Sequence, residues 1–61
     1  MKEFIKETLT EKGNITLIDV NDKIHSFTKL VSFSETDNVA IFEHTTGSKF
    51  AFNLDNITYA Y

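Results

Sequence analysis

Beyond residue 14, apolar side chains recur mostly at alternate positions, and the runs are cut by short polar clusters. That period restricts the chain to a sheet-rich fold. The clearest case is "KFAFNL", where Phe50, Phe52 and Leu54 alternate with Lys49, Ala51 and Asn53. Successive strand residues face opposite sides, so one side of this strand belongs to a core. The polar pair Asp55-Asn56 then interrupts the pattern. Ile57, Tyr59 and Tyr61 resume a second alternating face, opposed by Thr58 and Ala60.

The preceding segments follow the same grammar. "ITLIDV" is rich in β-branched and apolar residues, and Asn21, Asp22 and Lys23 separate it from "IHSFTKLVSF" as a tight hairpin would. In that second strand His25, Phe27, Lys29, Val31 and Phe33 share one parity, and Ile24, Ser26, Thr28, Leu30 and Ser32 the other. Neither parity is wholly apolar, which predicts a bulge or strong bend near Thr28 to Leu30. "SETDN" is the next turn, where Asp37 and Asn38 can bond to nearby backbone, and "TTGS" places Gly47 for a positive dihedral in a hairpin loop. The predicted strands cover residues 15–20, 24–33, 39–44, 49–54 and 57–61.

The start of the chain has a different period. Met1, Phe4, Ile5 and Leu9 fit one face of a helix over residues 2–11, with Lys2, Lys6, Glu3, Glu7 and Glu11 on a charged face. Gly13 and Asn14 supply the stop, because both types tolerate the left-handed conformation used at helix ends. Such a short helix needs a surface to pack on.

The expected fold is therefore mainly β, a single domain over residues 1–61 with a short N-terminal helix and a five-stranded, strongly bent antiparallel sheet or small barrel. This layout resembles that of SH3-like and Sm-like barrels, scaffolds that include peptide, protein and RNA binders. The resemblance is of architecture: neither an Sm-type signature nor an SH3 ligand-binding aromatic set is present. A flat sheet of three or four strands beneath the helix is the structural alternative.

Composition narrows the chemistry. With 61 residues the chain lies near the lower limit of autonomous folding, where association often supplements a small core. It has no cysteine, so disulfides, thiolate metal sites and thiol nucleophiles are excluded. His25 and His44 do not sit in a ligand-spaced cluster, and no cofactor is expected. The formal charge of -3, from nine acidic and six basic residues, disfavours broad phosphate-backbone binding. No apolar run approaches the roughly 20 residues of a membrane span, and the charged amino end lacks a signal-peptide core. No membrane association and a cytoplasmic location are the default expectations.

Few motifs carry chemistry. His44 has Glu43, Thr45, Thr46 and Ser48 nearby in sequence, yet neighbouring strand residues point to opposite faces. Asp19 and Asp22, with Glu35 or Asp37, could meet at adjoining turns, although calcium needs six to eight oxygens in an organised loop. "TTGSK" lacks the full phosphate-loop pattern. Asn14-Ile15-Thr16 and Asn56-Ile57-Thr58 match the glycosylation sequon, which has no use without a secretory signal.

What is left is contact. Tyrosine joins large apolar area to a hydrogen-bonding tip and is common at interfaces. Ile57, Tyr59 and Tyr61 are thus the expected protein-binding residues, on a strand that closes the core or offers its edge to a protein partner or a second copy. The expected function is a non-enzymatic protein-binding module, adaptor or inhibitor, with bacterial or phage origin suggested by small size and Lys, Asn and Ile usage. The competing expectation is an oligomeric barrel contacting RNA or single-stranded DNA through Lys23, Lys29 and Lys49.

Overall fold

The computed structural model describes all residues, Met1–Tyr61. Helix α1 spans Lys2–Lys12, and six strands follow: β1 Ile15–Asp19, β2 Ile24–Phe27, β3 Lys29–Ser34, β4 Val39–Glu43, β5 Lys49–Asn53 and β6 Ile57–Ala60. A 3-10 turn, Leu54–Asn56, joins β5 to β6. The strands form two three-stranded antiparallel sheets, ordered β2-β1-β6 and β3-β4-β5. The expected mainly β chain with a short leading helix is present. The expected five strands are six, and the barrel does not close, because no ladder links one sheet to the other.

The mixed parity of "IHSFTKLVSF" has a direct cause. The predicted single strand breaks at Thr28, which makes no backbone-to-backbone hydrogen bond, and the β3–β4 register slips between Leu30 and Ser32. The break moves the core-facing set from odd to even residues, and the bulge at Val31 moves it back. Phe27 is consequently buried, and Leu30 and Phe33 pack on the same core despite their three-residue spacing.

Ile15, Leu17 and Phe27 from the first sheet meet Ala40 and Phe42 from the second, with Leu54 from the 3-10 turn and Ile5 from α1 completing the core. Phe27 and Phe42 stack across the layers, ring centroids 4.9 Å apart at 12°. Offset stacking of this kind adds to simple area burial.

The helix is rotated from its expected face. Ile5 and Thr8 are buried and Leu9 packs on the core, whereas Met1 and Phe4 are exposed. Thr8 is tolerated because its hydroxyl donates to the Phe4 carbonyl at 2.7 Å, so no polar group is left unpaired. Gly13 ends the helix with φ 81°, and its N–H caps the Leu9 carbonyl.

Candidate functional site

The first sheet places two kinds of residue on its two faces. Along β1, Ile15 and Leu17 point inward, so Thr16 and Ile18 point outward. Register then sets their cross-strand neighbours: Ile18 lies between Ile24 of β2 and Tyr59 of β6, and Thr16 lies opposite Ser26. Tyr61 continues the β6 ladder past its formal end, exchanging backbone hydrogen bonds with Thr16 at 2.8 and 2.9 Å. The outer face is thus a row of Tyr59, Ile18 and Ile24 beside a row of Tyr61, Thr16 and Ser26.

The apolar residues of this face are exposed on either side of half-buried Ile18, while Thr16 beside it is buried. Ile24 is 66% exposed, Tyr59 60% and Tyr61 44%. The two tyrosine rings lie 5.5 Å apart, and the Lys12 ammonium sits 5.3 Å from the Tyr61 ring centroid. Lys12 is the only charge placed against the patch by a described contact, and it lies at the helix C-terminus, where the carbonyl ends favour a cation.

Among the expected contact residues, Tyr59 and Tyr61 share this face and Ile57 does not. The β1–β6 register shifts between Ile18 and Asp19, so Thr58 is an extra residue that reverses the alternation. Its hydroxyl donates to the Ile18 carbonyl at 3.2 Å, fastening the bulge. Ile57 and Ala60 therefore pack on the core, and Tyr59 is turned outward. Ile18 and Ile24 were not among the expected site residues, although each shares its strand parity with a polar residue, Thr16 and Ser26, which marks the outward face.

The expected nucleic-acid lysines do not converge. Lys29 and Lys49 stand on either side of Glu43 in the second sheet, and Lys49 pairs with it at 3.6 Å. Lys23 belongs to the β1–β2 turn of the other sheet.

The polar chemistry is used structurally. Asp19 Oδ1 accepts the N–H groups of Asn21 and Lys23 at 2.8 and 3.0 Å, and Oδ2 bonds to His25 Nε2 at 3.0 Å. The His25 bond first, and then the turn amides, hold the Asp19 carboxyl below its ordinary value by favouring the charged form. His25 also lies 4.8 Å from the Phe52 ring, and no hydroxyl is hydrogen-bonded to it. His44 Nδ1 lies 3.3 to 3.4 Å from the Thr45 hydroxyl and the Thr46 amide and hydroxyl in an exposed turn. Asp19, Asp22, Glu35 and Asp37 form no metal-binding cluster.

No helix is long and apolar enough to cross a membrane. No protein-family model, curated protein or solved structure matches the chain.

Proposed function

We propose that this chain is a non-enzymatic binding module that engages a partner protein through the outer face of the β2-β1-β6 sheet and the adjoining β6 edge. The observation that carries the reading is the apolar cross-strand row Tyr59, Ile18 and Ile24, in which exposed Tyr59 and Ile24 flank half-buried Ile18 on a small domain. Contiguous exposed apolar surface of this kind marks interaction sites, and rigid aromatic side chains lose little entropy on docking. The edge adds backbone recognition. Tyr59 and Tyr61 bond inward to β1, so by antiparallel alternation Ala60 directs its N–H and carbonyl outward. A partner segment bearing aliphatic or aromatic side chains fits this combination.

Nucleic-acid binding has weaker support, because Glu43 separates Lys29 from Lys49 and the net charge is negative. The SH3-like or Sm-like comparison rests on element order alone, since the two sheets are not joined into a barrel.

The test is capture from lysate of the native host with the intact chain, followed by binding of the recovered protein to purified Tyr59→Ser and Ile24→Ser variants. Both should retain the wild-type far-ultraviolet spectrum and bind at least about tenfold more weakly, as loss of a central anchor does. Unchanged affinity in both variants refutes the reading. Tight, salt-sensitive binding to mixed single-stranded RNA or DNA would favour the nucleic-acid alternative instead.

A further inference from the structure

The second sheet has an unguarded edge. His44 donates to the Ser48 carbonyl and Leu54 to the Asn38 carbonyl, which fixes the alternation of the β4–β5 ladder between them. Phe50 and Phe52 bond inward, so Lys49, Ala51 and Asn53 direct their amides and carbonyls away from β4. Unpaired strand edges are templates for further pairing unless they are blunted.

The remaining edges are shorter or interrupted. Strand β6 carries the Thr58 bulge, and β3 carries the Val31 bulge and lies beside α1, with Lys2 5.6 Å from the Phe33 ring centroid. Strand β2 runs only from Ile24 to Phe27 before the Thr28 corner. By contrast β5 keeps one uninterrupted register from Lys49 to Asn53, with no proline or glycine, and Ala51 at its centre is exposed. A cleft of about 340 Å³ separates Ala51 and Asn53 from Asp19 and Asn21, leaving that end of the edge open.

We propose that β5 pairs antiparallel with β5 of a second copy, about a two-fold axis at Ala51. The occupant is a second copy because the strand is complementary to itself in this register. Ala51 faces its own counterpart, Phe50 faces Phe52 of the other chain, and Lys49 faces Asn53 next to the turn that carries Asp55. No like charges oppose one another, and Phe50, 45% exposed in the single chain, gains an aromatic cross-strand neighbour. Such an isologous contact closes on itself and joins two sheets into one of six strands. The proposal is independent of the aromatic face and uses none of its residues.

The two-fold register supplies its own test. Ala51 lies on the solvent face of β5, so Ala51→Lys and Ala51→Glu both preserve the single-chain ladder. Sedimentation equilibrium should show a reversible dimer for the wild-type chain. Each variant should dissociate about tenfold or more readily, because identical charges meet at the axis. An equimolar mixture of the two variants should restore a dimer containing one of each. A synthetic chain with N-methylalanine at position 51, which removes one outward donor and no ladder bond, should be monomeric. A wild-type monomer at about 1 mM, the limit of useful affinity, overturns the proposal. So does a charged variant whose dimer is as tight as that of the wild type, or a mixture that associates no more tightly than either variant alone.

Discussion

Replacing Phe42 should unfold a large share of the population, and the size of the effect follows from its position. Phe42 is fully buried, stacks on Phe27 of the opposite sheet at 4.9 Å and meets Phe52 edge-on at 6.2 Å. Truncating a buried Phe to Ala costs about 3–5 kcal/mol. At about 0.05–0.15 kcal/mol per residue, a 61-residue domain has only about 3–9 kcal/mol in total. Phe42→Ala should therefore remove from about a third of the stability to all of it. Phe42→Leu is the measurable step: it keeps most of the volume but loses the stack, for a cost of about 1–2 kcal/mol. Phe50→Leu on the exposed rim is the control, with an expected cost of about 0.5 kcal/mol. Urea titrations of the three variants should show lower midpoints with an unchanged slope wherever a transition remains. If Phe50→Leu proves as damaging as Phe42→Leu, the Phe27–Phe42 stack is not what joins the two sheets.

Smaller perturbations test the local devices. Thr58→Val removes the hydroxyl that bonds the Ile18 carbonyl and should cost about 0.5–1 kcal/mol, with faster amide exchange at Tyr59 read by NMR. Gly13→Ala should cost about 1 kcal/mol in a thermal melt, because Gly13 sits at positive φ and nothing crowds its added Cβ. Asp19 gives a pH signature. Its folded carboxyl lies below 3.8, so the stabilisation it supplies is present above the unfolded value and disappears as pH falls through the folded one. Urea midpoints recorded from about pH 5 down to pH 2 should fall less steeply for Asp19→Asn than for wild type; equal slopes would contradict the role given to the His25 bond.

Periodicity reveals which segments are strands more readily than which way they face. Phe52 and Leu54 do point to the core, as the alternation of "KFAFNL" says, whereas Phe50 of the same expected face reaches only the rim and is 45% exposed. The outward turn of Tyr59 was not legible, because it depends on a bulge at Thr58 that forms only when β6 pairs with β1. The break at Thr28 was visible as conflicting parity, yet its outcome as two strands depends on how the sheets pack. Thr8 shows the same limit on the helix. A polar residue takes a buried position once its hydroxyl is satisfied by the preceding turn, and Phe4, apolar but on the wrong arc, is left in solvent.

The open architecture also accounts for where contact is to be sought. Strands β2 and β5 face each other across the unclosed side, linked by rings instead of backbone bonds: His25 on Phe52 at 4.8 Å, Phe27 on Phe50 at 5.6 Å and Phe27 on Phe52 at 5.4 Å. Side chains of this size fill the interior while holding the backbones too far apart to form a ladder. The outward amides of β5 therefore have no partner within the chain, and a closed barrel would have supplied one. Bulky aromatics at His25, Phe27, Phe50 and Phe52 thus stabilise the small core and keep an edge available. Shortening two of them at once, as in Phe50→Val with Phe52→Val, would destabilise the domain and also bring β5 nearer β2. A variant that stays folded should then lose self-association in sedimentation even with Ala51 intact. Retained dimerisation in that variant would separate the edge pairing from the aromatic spacing and leave the open side without a part in it.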